Sequence, residues 1–203
     1  DDTAVVVMAM DRARRLDGST EYDPAIARAR EWIEGLQSKD GGFAAFDADN
    51  LEYYINNIPF ADHGAMLDPP TEDVTGRCVS MLAQLGGTVE TSPAMKRGVD
   101  YLIRTQLEEG SWYGRWGLNY IYGTWSVMCA LNAAGVDHQS PAMRKAVDWL
   151  VRIQNPDGGW GEDGESYKLD YKGYEPAPST SSQTAWALLA LMAAGEADHP
   201  AVH

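Results

Sequence analysis

Cysteine, basic residues and long apolar runs are all scarce in this sequence. Two cysteines, Cys78 and Cys129, lie in apolar stretches without CxxC or Cys/His spacing, so we expect buried thiols and neither a zinc site nor a disulfide. The longest apolar run, 185–194, has ten residues, well short of the roughly 18 that cross a bilayer. Only 16 Lys and Arg face 30 Asp and Glu, and the net charge of −14 argues against a nucleic-acid partner.

The first residues lack both an initiator Met and the basic, then apolar, pattern of a signal peptide. We therefore expect the chain to be a piece of a longer protein. Its 203 residues are 44% hydrophobic and 23% charged, which is typical of a globular domain with a hydrophobic core. The prediction is one domain over 1–203.

Three segments, 24–43, 93–112 and 141–160, superimpose without gaps. Each begins with Pro after Asp or Ser, a pattern typical of a helix start, and carries a helical stripe of apolar residues. In each segment a Gln follows one aromatic by five residues and precedes another by six. We predict structural roles for these Gln and aromatic pairs, which are Gln37 with Phe43, Gln106 with Trp112, and Gln154 with Trp160.

A second kind of segment alternates with the first and runs from Thr to a Gly eleven residues later, at 75–86, 124–135 and 184–195. These segments are apolar on nearly every side, which predicts buried inner helices beneath the more polar outer ones. The run 3–16 is interpreted as another inner helix and His199-Pro200 as the start of another outer one. The prediction is an all-α toroid, a partial α/α barrel of alternating inner and outer helices.

Two long stretches, 47–70 and 161–182, interrupt the repeat, and such loops in a compact repeat fold are more often functional than idle. The acidic start of the first, at 47–50, has a faint likeness to a calcium loop. It lacks the Gly at the sixth position and the Glu at the twelfth. We therefore predict no metal site.

Specific strings carry a family resemblance. The tripled Gln-to-aromatic repeat, the opening Asp-Asp-Thr-Ala, and the strings DPPTEDVTGR at 68–77 and WYGRWGLNYIYGT at 112–124 resemble the squalene–hopene cyclases, a family of class II terpenoid cyclases with Gln-Trp repeats. Family chains are much longer than this one. Their acid motif is Asp-x-Asp-Asp, of which this chain has the last two residues. The resemblance implies no cofactor.

By this resemblance Asp1 protonates the terminal alkene of squalene, and Asp2 lies beside it. Clustered carboxylates in a dry site share protons because they cannot all ionise together. Arg77 stands where many family members have His; it can hold the anion but does not readily exchange protons. Asp73 lies four residues before Arg77 on the same helix face and would orient it.

The resemblance also implies a lining for the cyclisation cavity. Phe46, Trp116 and Tyr122 match lining positions, where aromatic faces each stabilise a desolvated cation by about 2 kcal/mol. Of these, Tyr122 is expected to be catalytic, and Phe46 and Trp116 to bind the substrate. Phe60 resembles the constriction of the family's substrate channel, although a loop Phe that fills a hole is an equal alternative. Of the remaining tryptophans, Trp32 and Trp149 are expected in the core with Trp160, whereas Trp125 and Trp186 stay undecided.

The function implied is part of an enzyme that cyclises squalene to hopene or hopanol. The implied partners are squalene, the missing N-terminal part of the chain and a membrane surface; nucleic acid is not among them, and a homodimer stays open. The implied location is cytoplasmic and peripheral to the membrane, and the fragment alone is expected to be inactive.

Other functions remain open at this stage. An α/α-barrel glycosidase would use an acidic pair such as Asp47 and Asp49. A non-catalytic α/α repeat would bind protein. The related cyclases of oxidosqualene show Asp-Cys-Thr-Ala-Glu at the acid, and residues 1–5 of this chain differ from that motif.

Overall fold

The computed structural model describes residues 1–58, 66–167 and 173–203. Its seven α-helices are α1 (Asp2–Asp17), α2 (Asp23–Gly35), α3 (Glu72–Gln84), α4 (Pro93–Arg104), α5 (Tyr120–Ala133), α6 (Pro141–Arg152) and α7 (Ser181–Ala193). Short 3-10 turns occur at Tyr53–Asn57, Gly164–Tyr167 and Pro200–Val202. The described part of the chain contains isolated β-bridges but no strand, so the all-α prediction is confirmed. None of its helices is long and apolar enough to cross a membrane.

The helices form two layers. In the inner layer α1, α3, α5 and α7 pack side by side in chain order, and α2, α4 and α6 pack outside them. Helices α3 and α5 come especially close, because a Cβ at Gly76 would lie 2.8 Å from Ser126 Oγ. The alternation of inner and outer helices agrees with the predicted toroid.

The outer helices begin near the predicted prolines. At α4 and α6 the hydroxyls of Ser92 and Ser140 cap the helix by accepting backbone N–H groups three residues on. Helix α2 differs, because Asp23 is its first residue and makes no side-chain cap. The Asp23 carboxylate instead pairs with Arg14 of α1 at 2.6 Å.

The inner helices begin three or four residues before the predicted threonines. Thr75, Thr124 and Thr184 lie inside the first turn and do not cap it. Their hydroxyls accept the backbone N–H of the repeat aromatic, at 2.8 Å from Phe43, 3.0 Å from Trp112 and 3.0 Å from Trp160. The Thr that appeared to start each helix therefore anchors the preceding turn.

Burial of the inner helices is uneven. Helix α5 is largely buried, as its apolar sequence predicts. Helices α1 and α7 leave apolar side chains exposed, among them Val5, Val6, Leu189 and Met192. The prediction of burial on every side is wrong for these two, because in the described chain each has an inner neighbour on one side only.

The repeat tryptophans also differ from one another. Trp149 and Trp160 are buried as predicted, whereas Trp32 is 63% exposed and the prediction of a core position is wrong. Trp149 is covered by Tyr174 of the loop before α7, with ring centroids 5.7 Å apart. The structure describes no ring contact for Trp32.

The two cysteines are free thiols. Cys78 is buried, and burial raises the pKa of its thiol to about 12. Cys129 is half-buried rather than buried, and the same cause raises the pKa of its thiol to about 11. Both thiols therefore stay protonated and unreactive near neutral pH.

Each repeat Gln joins its own turn to the next outer segment. The Gln37 Nε2 amide donates to the carbonyls of Gly41 and Ala94, both at 2.8 Å. Gln106 does the same with Gly110 and Ala142, and Gln154 with Gly158 and Ala201, at 2.8–2.9 Å. In each repeat, two hydrogen bonds from the Gln amide and one from the backbone N–H of the repeat aromatic to the Thr hydroxyl act together. We call these three bonds the repeat clasp.

Substitution of a clasp Gln should measurably weaken the fold. We expect Gln154→Ala to lower the free energy of unfolding by about 1–2 kcal/mol, since two carbonyls lose their donor. Urea denaturation of the variant measures the loss. Gln139→Ala, at an exposed Gln outside the clasp, is the matched control and should be neutral. Unchanged denaturation midpoints for Gln→Ala at all three clasps would count against this role.

Candidate active site

Three inner helices meet at an acidic centre. Asp1 lies at the N-cap of α1, and its carboxylate oxygens accept hydrogen bonds from Arg77 Nη1 at 2.9 and 3.0 Å. The Nη2 group of Arg77 donates to the hydroxyl of Tyr122, on the first turn of α5. All three side chains are buried or partly buried. The structure thus brings together three of the predicted catalytic residues.

The charges of this centre favour an anion at Asp1. The Arg77 guanidinium is always protonated, so it stabilises a carboxylate without exchanging protons with it. Its carbon Cζ also lies 5.6 Å from the centroid of the Tyr122 ring. Burial raises the pKa of the Tyr122 phenol, although the charge of Arg77 opposes that rise. Tyr122 is therefore a neutral phenol that accepts from Arg77 and keeps its own proton.

Asp2, the other predicted acid, has a different environment. It is the first residue of α1 and its side chain is exposed. Within the described residues no hydrogen bond joins Asp2 to Arg77. The structure therefore does not bring Asp2 into the acidic centre.

Asp73 is buried and holds the neighbouring loop. Its Oδ1 accepts from the Thr71 hydroxyl at 2.6 Å, and its Oδ2 accepts from the backbone N–H of Trp116 at 2.8 Å. Burial raises the pKa of the Asp73 carboxyl, while the hydrogen bonds and the charge of Arg77 oppose that rise. The sequence suggested that Asp73 orients Arg77. In the structure, the hydrogen bonds described for the Asp73 side chain include Thr71 and Trp116 and not Arg77.

Phe46 and Trp116 form an aromatic pair that is joined to Asp73 through the backbone N–H of Trp116. Their rings are perpendicular, with centroids 5.6 Å apart. The buried carboxylate of Asp68 fixes the Phe46 backbone by accepting its N–H at 2.6 Å. The Phe46 side chain is 63% exposed. Phe60, the third predicted substrate contact, lies outside the described residues.

Tyr122 belongs to a second aromatic group with the two undecided tryptophans. Its ring centroid lies 5.6 Å from that of Trp125 and 5.1 Å from that of Trp186. The two indoles are stacked at 5.9 Å. Trp186 is on α7, so the acid, the cation and this aromatic group lie on four successive inner helices.

Two glycines provide the space for the Tyr122 ring. A Cβ at Gly117 would lie 2.5 Å from Tyr122 Cγ, and one at Gly114 would lie 2.8 Å from its Cδ1. Only a residue without a side chain allows the ring to lie this close to the backbone. The position of Tyr122 therefore explains Gly114 and Gly117 of the string 112–124.

A sequence model of the squalene–hopene cyclase C-terminal domain matches residues 1–203. The chain belongs to the squalene–hopene cyclase family. It is similar to the probable squalene–hopene cyclase of Sinorhizobium fredii (76% identical over 202 residues) and to the squalene–hopene cyclases of Bradyrhizobium diazoefficiens (75% over 202) and Zymomonas mobilis (63% over 203). Each match covers 100% of this chain and 31% of the relative.

Family membership confirms the resemblance seen in the sequence. The relatives are named as cyclases. The chain spans about 31% of the length of these relatives. In the described part of this cyclase-family chain, no group of three or more metal-binding side chains occurs.

Glu162 is a buried carboxylate that the sequence analysis missed. It accepts the backbone N–H groups of Asn119 at 3.1 Å and of Tyr120 and Ile121 at 3.0 Å, which are orphan donors at the start of α5. Burial raises the pKa of the Glu162 carboxyl, and these three N–H groups oppose that rise. The sequence holds no local signal for this contact, because the partners are 41–43 residues apart.

Tyr167 was also missed. Its hydroxyl lies among three backbone carbonyls, at 2.9 Å from that of Gly114, 3.3 Å from that of Arg115, and in contact with that of Gly117. Burial raises the pKa of the Tyr167 phenol. The phenol therefore keeps the proton that it donates to these carbonyls.

Proposed function

We propose that this chain supplies the acid and part of the cation-stabilising wall of an enzyme that cyclises squalene to hopene or hopanol. The observation that carries the proposal is the hydrogen-bonded series Asp1, Arg77 and Tyr122 on three inner helices. The names of the relatives support the proposed substrate and product class.

The first step is proton transfer from Asp1. In the protonated state the Asp1 O–H bond breaks and a C–H bond forms at the terminal alkene, which leaves a carbocation on squalene and a carboxylate on Asp1. Arg77 stabilises that carboxylate through both of its oxygens. Because Arg77 does not release protons, another donor restores the proton after each turnover.

Aromatic faces stabilise the cation as it moves along the chain of alkenes. Tyr122, Trp116 and Phe46 supply such faces, each worth about 2 kcal/mol in a dry cavity. Loss of a proton from the last cation gives hopene, and addition of water followed by loss of a proton from the added water gives hopanol. The exposure of Phe46, at 63%, supports a cavity that is completed by other parts of a longer protein.

The 203 residues alone should therefore not cyclise squalene. The full-length protein should, and because squalene is a hydrocarbon we propose that it collects the substrate at a membrane surface as a peripheral cytoplasmic protein. Incubation of both proteins with squalene, followed by gas chromatography, tests the proposal. Hopene from the isolated chain, or no cyclised product from the full-length protein, would contradict it.

Removal of the cation should slow the reaction without ending it. We expect Arg77→Ala in the full-length protein to lower turnover by about 10- to 100-fold, the equivalent of one charged hydrogen-bond partner. Arg77→Lys, which keeps the charge, should lose less. Arg30→Ala removes a surface cation paired with Glu34 and serves as the control. Undiminished turnover by Arg77→Ala would remove Arg77 from the mechanism.

A further inference from the structure

We infer that Glu162 and Tyr167, in the loop between α6 and α7, are positioning residues for the cation-stabilising rings of Tyr122 and Trp116. This inference rests on the proposed function. The chain segment that they hold is 114–122, which we call the α5 entry. Neither residue belongs to the aromatic wall itself.

Glu162 fixes the helical end of the α5 entry. Its side chain is 3% exposed, and a buried carboxylate without partners is strongly unfavourable. The three N–H groups that it accepts belong to the three residues directly before Tyr122. The carboxylate therefore determines where the first turn of α5 begins and, with it, the position of the Tyr122 ring.

Tyr167 fixes the loop end of the α5 entry. Its hydroxyl has one proton and three carbonyl acceptors, so the loop at 114–117 has to curve around it to share that proton. Trp116 is part of this curve. The same curve carries Gly114 and Gly117, against which the Tyr122 ring packs. Glu162 thus accepts hydrogen bonds from the N–H groups of this continuous segment, and Tyr167 donates to its carbonyls.

The two residues are themselves held in place. The backbone N–H and carbonyl of Glu162 both bond the side-chain amide of Gln183 on α7, at 3.2 Å each. Between Glu162 and Tyr167, the Ser166 carbonyl and hydroxyl accept the Asn119 amide at 3.1 and 3.2 Å. The α5 entry is therefore fastened to the first turn of α7 through buried polar contacts.

Such fastening matters for chemistry because cation stabilisation depends on ring position. Displacement of a positioned group by about 1 Å can lower the rate of a reaction by about 100-fold. If Tyr122 or Trp116 shifts, a cation that should continue along the polyene loses a proton early. A loss of positioning therefore changes which products form, whereas a simple loss of stability changes only how much active protein remains.

The test uses the full-length protein and three variants. Glu162→Gln replaces one carboxylate oxygen by an NH₂ group. That group is itself a donor, so it cannot accept hydrogen bonds from the backbone N–H groups. Tyr167→Phe removes only the hydroxyl and keeps the ring, so that a variant expected to fold carries the test even if Glu162→Gln does not. Gln154→Ala, at a clasp beyond α6, loses two hydrogen bonds of comparable strength and is the stability control.

We expect the ratio of incompletely to fully cyclised squalene products to rise by about tenfold in Glu162→Gln and Tyr167→Phe, and to stay unchanged in Gln154→Ala. A ratio that stays at the wild-type value in both variants, or that shifts equally in Gln154→Ala, overturns the inference. Failure of the wild type to cyclise squalene overturns the proposed function instead.

A second readout does not depend on squalene turnover. In protein labelled with fluorotryptophan and fluorotyrosine, the fluorine resonances of Trp116 and Tyr122 are assigned with Trp116→Phe and Tyr122→Phe. Both resonances should move in Tyr167→Phe and in Glu162→Gln, and neither should move in Gln154→Ala. Resonances that do not move in the two positioning variants overturn the inference regardless of activity.

Discussion

Replacement of Asp1 by Asn in the full-length protein should abolish the cyclisation of squalene. An amide cannot deliver a proton to an alkene, and general acid catalysis alone typically contributes about 10²- to 10⁴-fold. The hydrogen bonds from Arg77 would meet one amide oxygen and one amide NH₂ group in place of two carboxylate oxygens. The variant should still fold, because Asp1 makes no side-chain cap to α1.

The measurement is gas chromatography of squalene incubations at equal protein concentration. Asp148→Asn provides the matched control, since it makes the same chemical change on the exposed surface of α6 and should leave turnover unchanged. Thermal denaturation of both variants separates a lost acid from a lost fold. If Asp1→Asn turns over squalene at the wild-type rate, Asp1 is not the acid.

The largest effect on stability is expected at Gly110. Its φ of +110° disfavours any side chain, and a Cβ there would lie 2.4 Å from the backbone carbonyl oxygen of Lys145. Backbone atoms of a helix do not move aside as the end of a flexible side chain does. We expect Gly110→Ala to lower the free energy of unfolding by about 3 kcal/mol, from strain and clash together.

Gly135→Ala separates the two causes. Gly135 has a φ of +78°, and nothing lies within 4 Å of a Cβ built there. Only strain should act at this position, with a loss of about 1 kcal/mol. Urea denaturation of both variants gives the comparison. If both variants lose the same free energy of unfolding, the close approach of Gly110 to the backbone of α6 does not contribute to the cost of a side chain at position 110.

Much of the fold could be predicted because the same repeat pattern occurs three times in the sequence. Pro at the first turn and Gly after the last turn mark the outer helix in each of the three copies, so chance does not account for the pattern. The inner helix starts were misplaced because Thr is both a good cap and a good side-chain acceptor, and only the position of the repeat aromatic decides between these roles. Whether a tryptophan at this repeat position is buried depends on another segment of the chain. Tyr174 covers Trp149 in this way, whereas Trp32 is exposed.

The acidic centre was predictable only through family resemblance. Asp1, Arg77 and Tyr122 are separated by 76 and 45 residues, and no spacing rule connects them. Glu162 and Tyr167 escaped prediction for a related reason. Their partners are backbone groups, which every residue carries, so the sequence around 114–121 holds no mark of the side chains that bind there.

The three repeats do not make the same set of hydrogen bonds. The indole N–H groups of Trp112 and Trp160 each donate to a carbonyl of the preceding outer helix, at 2.7 and 2.9 Å, in addition to the clasp bonds. Phe43 occupies the same position without an indole N–H, so its repeat lacks that bond, whereas Gln37 Oε1 accepts a hydrogen bond from Arg97. Local separation of α2 from the turn that follows it therefore breaks no indole hydrogen bond, whereas the same motion at α4 or α6 does.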